Sequence, residues 1–199
     1  MKLKELYEAK ERSILTVMGQ QAEKVSGDFN CAYNQLTSLE GGPKEVDGNF
    51  ACYDNKLTSL KGGPKEVDGN FSCFNNKLTS LIGSPQKVGA DFICASNKLT
   101  SLEGCPQKVV GDFYCSENQL TNLKDIHKHI KFINGFANFY SNPIESHVVG
   151  LLLIDGLEHV YLDNEQVRDI INKHLNVGRD VFECIDELLE AGFPEFAKI

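Results

Sequence analysis

Cysteine thiols are the side chains of this sequence best suited to bind a soft metal or to respond to oxidation, and five of them recur every 21 residues. They are Cys31, Cys52, Cys73, Cys94 and Cys115, and Phe139 takes the next place in the series. Zinc sites bring their ligands to one point, typically through cysteines two to four residues apart, whereas a constant long spacing places ligands along a line. Because cysteine is also a small buried hydrophobe, the series predicts core packing with reduced thiols and no metal or other cofactor.

The other polar residues do not form a catalytic set. One asparagine follows each place in the cysteine series by three residues: Asn34, Asn55, Asn76, Asn97, Asn118 and Asn142. No nucleophile or base repeats beside them, so they predict an amide ladder that satisfies backbone groups where the chain turns. No phosphate-binding loop, H-E-x-x-H, G-x-S-x-G or C-x-x-C string occurs. The chain is therefore predicted not to be an enzyme, and a reactive Cys184 in the tail is the alternative.

The cysteine interval belongs to a repeat of the whole sequence, with the frame V-x-G-[DN]-F-x-C-x-x-N-x-L-T-S-L-x-G-x-P. Units begin at Val25, Val46, Val67, Val88 and Val109, and a degenerate unit begins at Ile133. Residues 15–25 copy half a unit, and the segment GLEHVYLDN from Gly156 is predicted to form one further strand. A unit this short cannot bury its apolar side alone, whereas stacked units can.

Each unit is predicted to contain one short strand. Phe and Cys alternate in F-x-C, so both side chains point to the same face. The two leucines that follow turn back beneath the strand, and Gly and Pro shape a return path that has no room for a long helix. Parallel stacking at about 4.8 Å per strand then places identical residues in columns, with Phe, Cys and Leu inside and dissimilar residues outside.

This frame resembles the leucine-rich repeat, L-x-x-L-x-L-x-x-N-x-L, with Phe and Cys in place of two leucines, as in Phe50, Cys52, Asn55 and Leu57. The resemblance covers residues 15–164, and the wording of the units (LTSLEG, GDFYC) and of the tail is similar to repeat proteins encoded by tailed bacteriophages and prophages. It implies an α/β repeat solenoid, a curved leucine-rich repeat stack with a parallel β-sheet on the concave face. Residues 1–14 are expected to form a short N-terminal capping helix and residues 165–199 a C-terminal helical cap.

The sequence also predicts helices near its end. Residues 145–154 are predicted to be helical on the convex side. Apolar residues at helical spacing predict a further helix over residues 164–174, with Asp163 or Asn164 as its N-cap. A second tail helix is predicted after it, with Phe182 in its apolar stripe.

The outward strand positions differ from unit to unit, unlike the inward ones. Exposed aromatic rings among carboxylates are typical of interface centres with a polar rim, so the concave face is predicted to bind a protein partner. The alternative is that some rings only cover their strand neighbours. The predicted partner-binding residues are Tyr33, Tyr53, Asp54, Phe74, Asp91, Asp112, Tyr114, Glu117 and Tyr140. The phage resemblance implies a host protein, a defence or regulatory factor, as the partner.

Charge and hydropathy narrow the other classes of partner. The formal net charge is −8, and residues 145–199 account for it, with 12 Asp/Glu against 4 Lys/Arg, whereas residues 1–144 hold 16 of each. Without a basic stripe, nucleic acid is not expected. No apolar run approaches the ~20 residues that a bilayer needs, and the N-terminus lacks a signal-peptide pattern, so we expect a cytoplasmic protein that is not bound to a membrane. The acidic tail supports a second hypothesis, a virion or scaffold component attached through that tail.

Overall fold

The chain winds into a parallel-strand solenoid of stacked coils. A computed structural model describes residues 23–199. The helix expected for residues 1–14 and most of the half unit that follows it lie outside the described residues. Each regular coil contains two strands of two residues, rather than the single strand that the sequence predicts.

The first strand of each regular coil ends at the repeating valine: β1 Lys24–Val25, β3 Glu45–Val46, β5 Glu66–Val67, β7 Lys87–Val88 and β9 Lys108–Val109. The second begins at the repeating phenylalanine: β2 Phe29–Asn30, β4 Phe50–Ala51, β6 Phe71–Ser72, β8 Phe92–Ile93 and β10 Phe113–Tyr114. Two longer strands follow, β11 Phe132–Asn138 and β12 Asp155–Tyr161. The helices are α1 Ile126–His129, a 3-10 helix Val149–Leu153, α2 Glu165–Asn176 and α3 Val181–Glu190.

The strands form two parallel ladders that meet in β11. Ladder A contains β1, β3, β5, β7, β9 and the start of β11. Ladder B contains β2, β4, β6, β8, β10, the end of β11 and then β12, which also pairs with the start of β11. A glycine bend separates the ladders in the early coils, and a Cβ at Gly69 would lie only 2.6 Å from Asn49 Oδ1 of the preceding coil. A side chain at Gly69 would meet the preceding coil, so glycine is favoured there, although Ala90 takes the same place in the fourth regular coil.

The register places identical residues directly above one another, as the repeat predicts. Phe50 pairs with Phe71 and Val46 with Val67. The rings of Phe29, Phe50, Phe71, Phe92 and Phe113 stack with successive centroid distances of 5.3–5.5 Å. Four of these five phenylalanines and the two leucine columns are buried in one continuous apolar cluster, which supplies most of the driving force for folding.

The degenerate coil keeps the core filled by exchanging two side-chain sizes. Ala137 takes the phenylalanine place opposite Phe113, and Phe139 takes the cysteine place. The Phe139 ring lies 5.8 Å from that of Phe113, and both Ala137 and Phe139 are fully buried. A small residue in the large column and a large one in the small column conserve the packed volume, so the stack continues into β12.

Helices α2 and α3 pack on the last coil and bond to the backbone of β12. Asn172 Oδ1 accepts from Val160 N at 2.7 Å, and its Nδ2 donates to Val160 O at 2.9 Å. Arg179 donates to the carbonyls of Ile154 and Leu157. An exposed strand edge invites pairing with another chain, and these side chains occupy that edge instead.

One helix prediction needs correction and two are confirmed. Residues 145–154 contain only a five-residue 3-10 helix. Asn164 is the N-cap of α2, and its side chain accepts from Val167 N. The second tail helix is α3, in which Leu188 of the predicted stripe is buried while Phe182 is 79% exposed.

Candidate functional site

The outward side of ladder B is the surface on which the predicted partner-binding residues lie. Side chains alternate in each coil, so the residues before Phe, after Phe and after Cys point outward. The next residue ends the extended run in the left-handed region, with φ between 51° and 59°. We call these four columns the ladder B face. They contain Asp28, Asn49, Asn70, Asp91, Asp112, Phe136 and His159; Asn30, Ala51, Ser72, Ile93, Tyr114, Asn138 and Tyr161; Ala32, Tyr53, Phe74, Ala95, Ser116, Tyr140 and Asp163; and Tyr33, Asp54, Asn75, Ser96, Glu117 and Ser141.

The asparagine column holds the turn at the end of this face. Asn97 is representative: its Oδ1 accepts from Leu78 N at 3.0 Å, and its Nδ2 donates to the carbonyls of Cys73, Cys94 and Ala95 at 3.1–3.2 Å. Asn55, Asn76, Asn118 and Asn142 make equivalent bonds to their own coils and to the preceding ones. The predicted amide ladder is confirmed, and it fixes the position of the residues beside it.

A second ladder runs through the column that precedes Phe. Asp28, Asn49, Asn70, Asp91 and Asp112 each use Oδ1 to accept from a backbone N–H of the next coil at 2.7–3.0 Å. Asp91 and Asp112, two of the predicted partner-binding residues, therefore also bond coil to coil. Because Oδ1 of each carboxylate is already held, Oδ2 is the atom left to meet a ligand, and in Asp112 it also lies 3.4 Å from the Tyr114 hydroxyl.

Three aromatic rings form a row across the first coils. Tyr53 stacks on Phe74 with centroids 4.5 Å apart, and Tyr33 meets Tyr53 edge-on at 5.3 Å. Tyr53 and Phe74 are half-buried, while Tyr33 is 72% exposed. Asp54, beside Tyr53 in the sequence, accepts from Asn75 Nδ2. These predicted residues are brought together at one end of the face.

A second aromatic cluster lies at the other end, and most of it is absent from the predicted set. Tyr114, Phe136 and Tyr161 occupy three adjacent strands, with Phe136 edge-on to Tyr114 at 5.2 Å and to Tyr161 at 5.4 Å. His159 lies 4.8 Å from Tyr161. Tyr114 hydroxyl lies 3.4 Å from Asp112 Oδ2. Burial, followed by the charges of Asp112 and Asp91, raises the pKa of Tyr114.

The remaining predicted residues lie at the margin of these two clusters. Glu117 is exposed and accepts from Ser96 Oγ at 2.8 Å. Tyr140 is 57% exposed, and its ring does not contact the rings of either aromatic cluster. They extend the face toward the left-handed turn rather than joining either aromatic group.

Charge on the ladder B face has a single sign. Six carboxylates occupy its columns: Asp28, Asp54, Asp91, Asp112, Glu117 and Asp163. No Lys or Arg among residues 23–199 occupies any of these columns. Repulsion among like charges does not stabilise the fold, and the columns themselves hold no Lys or Arg to offset these carboxylates.

The thiols are unsuited to chemistry at this face. All seven cysteines are free and buried, which confirms the packing predicted for the column and for Cys184. Burial raises the pKa of Cys31 to about 12 and that of Cys184 to about 12. Because the thiolate is the reactive form, these side chains act as packing groups at neutral pH.

Neither a cluster of metal ligands nor a membrane-spanning helix occurs within residues 23–199. No group of three or more His, Cys, Asp or Glu side chains in that range is placed to hold a metal ion. Across the same residues, no helix combines the length and apolar character needed to cross a bilayer.

Comparisons with protein-family profiles, with curated proteins and with solved structures found no match to this chain. Its class is therefore defined by its own geometry. The chain is a parallel-strand repeat solenoid in which buried columns repeat and one outward face combines aromatic rings with carboxylates.

Proposed function

We propose that this chain is a non-enzymatic binding module whose ladder B face holds a protein partner. The observation that carries the proposal is the composition of that face: exposed and half-exposed rings, six carboxylates and no Lys or Arg. Aromatic residues surrounded by polar groups are the usual centres of protein interfaces. Seven strands at about 4.8 Å span roughly 30 Å, which suits an interface of about 800 Å² per partner.

Backbone conformation supports the same surface. Tyr33 is a bulky residue at φ 59°, in the left-handed region. Asp54, Asn75, Ser96, Glu117 and Ser141 take the same conformation at this turn, so the turn belongs to the repeat. Tyr33 alone places an aromatic ring at this turn, and that ring is 72% exposed, which supports a role in recognition.

We further infer that the coils are leucine-rich repeats and that the ladder B face is the concave one. The repeat frame and the amide ladder support this inference. The resemblance to repeat proteins of tailed bacteriophages supports a host protein, encountered in the host cytoplasm, as the partner.

Alanine can replace the rings of the ladder B face without disturbing the packing, because other coils of the repeat carry alanine in the same column. The column of Tyr53 and Phe74 carries Ala32 and Ala95 in other coils. The immobilised full chain would be used to recover and identify a partner from bacterial lysate, and binding would then be measured with the purified partner. Tyr53→Ala with Phe74→Ala should weaken binding by about 100-fold or more, as expected for two interface anchors.

The matched control changes the outward side of ladder A, with Glu66→Gln and Lys87→Gln. Both side chains are exposed. Glu66 belongs to the coil of Phe74, and Lys87 belongs to the coil after it. This variant should bind the partner like the native chain. Equal binding by the Tyr53/Phe74 variant, with its melting temperature near that of the native chain, would reject the ladder B face as the docking surface.

A second function is favoured by one observation in the tail. Phe182 and Leu189 are 79% and 49% exposed and lie seven residues apart, so they share one side of α3. This supports a scaffold component that is attached through the acidic helical tail. Phe182→Ser with Leu189→Ser would abolish partner recovery in that case, whereas the Tyr53/Phe74 variant would not.

A further inference from the structure

The cluster of Tyr114, Phe136 and Tyr161 differs from the other aromatic contacts on the ladder B face. The rings come from three consecutive strands, and the central ring is nearly perpendicular to both neighbours, at 84° and 86°. Tyr161 is 41% exposed, and the other two rings are half-buried. An aromatic face attracts a cation within about 6 Å of its centroid.

Two fixed carboxylates border this cluster. Asp112 Oδ1 accepts from Phe136 N at 2.9 Å, and Asp91 Oδ1 accepts from Asp112 N at 3.0 Å. These bonds hold each carboxylate in place, so a ligand that meets Oδ2 does not first have to order it. A cation at this position would gain from the rings and from two nearby negative charges together.

An outward ring on ladder A already contacts a cation of the same chain. Lys108 Nζ lies 5.0 Å from the centroid of Phe132, a cation–π contact within the protein itself. Phe132 and Phe136 belong to the same strand, β11. The rings on ladder B have no such partner in their own columns, because no Lys or Arg occupies the four columns of the face.

We propose that Tyr114, Phe136 and Tyr161, with Asp91 and Asp112, bind a cationic side chain of the protein partner, an arginine guanidinium or a lysine ammonium. This inference rests on the proposed function, since it names the chemistry that the ladder B face recognises. Arginine stacks on rings and pairs with carboxylates through a planar fork, whereas lysine offers a compact charge.

The test uses the full chain and small probes in place of the unidentified partner. N-acetyl-arginine methylamide and N-acetyl-lysine methylamide are titrated at about pH 8, well above the ordinary histidine pKa. The citrulline analogue serves as a neutral probe with the shape of arginine. Aromatic ¹³C NMR of labelled Tyr and Phe should show shifts at Tyr114, Phe136 and Tyr161 with one or both cationic probes. The citrulline probe should bind about fivefold more weakly or not at all.

Isosteric variants separate charge from shape. Asp91→Asn with Asp112→Asn keeps both coil-to-coil bonds, because Asn49 and Asn70 make the same bonds in earlier coils. This variant should weaken binding of the cationic probes about three- to tenfold. Asp28→Asn is the matched control, because Asp28 lies three strand spacings from Asp91 and four from Asp112, about 14 Å and about 19 Å, and it should leave the titration unchanged.

Ring removal tests the other half of the site. Phe136→Asn places in that column the residue it carries at Asn49 and Asn70, and it should abolish the response of Tyr114 and Tyr161 to both cationic probes. Equal responses to arginine and citrulline, or unperturbed rings with both cations, would overturn the proposal. If the cations fail while Tyr53→Ala with Phe74→Ala still loses the partner, the proposed function stands and this inference alone falls.

Discussion

Ladders A and B belong to the same coils and bury their apolar residues in the same core, yet their outward sides differ in charge. The outward residues of ladder A are of both signs: Lys24 lies beside Glu45 and Glu66 beside Lys87, while Glu45 also neighbours Glu66 and Lys87 also neighbours Lys108. Lys24 Nζ lies 2.8 Å from Asp47 Oδ1, so charges on that side pair within the chain. The ladder B face carries carboxylates alone.

The difference shows that stacking by itself does not dictate an unbalanced surface. Both ladders have the same repeat spacing. On the outward side of ladder A, lysines of the chain itself offset the carboxylates. Exposed ion pairs add little stability, so neither arrangement is needed for folding. The one-sign ladder B face therefore supports the proposal of a protein partner.

The largest expected effect is on stability. It compares how much an inward and an outward ring of ladder B contribute to the free energy of unfolding. Phe71 is fully buried between Phe50 and Phe92, whereas Phe74 in the same coil is half-buried on the face. Phe71→Ala should lower the free energy of unfolding by about 3–5 kcal/mol. Phe74→Ala should cost about 1 kcal/mol, mainly its stacking on Tyr53. Urea unfolding followed by circular dichroism measures both, and equal losses would mean that the face is structural.

The next effect concerns the amide ladder, which orders the turn beside ladder B. Asn97→Ala would leave the buried Leu78 N without its acceptor and would remove one of the two amide donors to Cys94 O, at a cost of about 1–3 kcal/mol. Asn134 is the control, since it is exposed and makes one long bond of 3.4 Å to Val110 O. Asn134→Ala should change the free energy of unfolding by less than about 0.5 kcal/mol. Similar values for the two variants in urea unfolding would contradict a structural role for the ladder.

Most of the buried architecture could be predicted because repetition multiplies a weak signal. F-x-C alone is ambiguous, but its recurrence at one spacing predicts parallel strands in register, and Phe50 does pair with Phe71. The first strand of each coil could not be predicted in the same way. A pair such as Glu45–Val46 is too short to show alternation, and its pairing depends on the close approach of the glycine bend to the preceding coil.

Only part of the candidate site could be predicted from the sequence, for a related reason. Phe136 stands where the frame has Asp or Asn, so the column pattern hides it in the degenerate coil. Tyr161 belongs to a coil that keeps only the alternation of Val160 and Leu162 from the frame. Aligning that alternation with Phe113 and Cys115 places Tyr161 in the column of Tyr114, and this was the available signal. The contact between the rings themselves depends on side-chain rotamers that no spacing reveals.

The smallest expected effect is on the pKa of Tyr114. It tests whether the carboxylates of the ladder B face influence the neighbouring rings electrostatically. Tyr114 has a raised pKa, first because it is partly desolvated and then because Asp112 and Asp91 disfavour a phenolate nearby. Asp112→Asn removes one negative charge while keeping the acceptor for Phe136 N, so the pKa of Tyr114 should fall. It should stay above the ordinary tyrosine value, because burial, the larger cause, is unchanged. A ¹³C NMR titration of the Tyr114 ring measures this, with Asp28→Asn as the distant control. An unchanged pKa in Asp112→Asn would show that the carboxylate is screened from the ring, and a partner cation could not then use both groups at once.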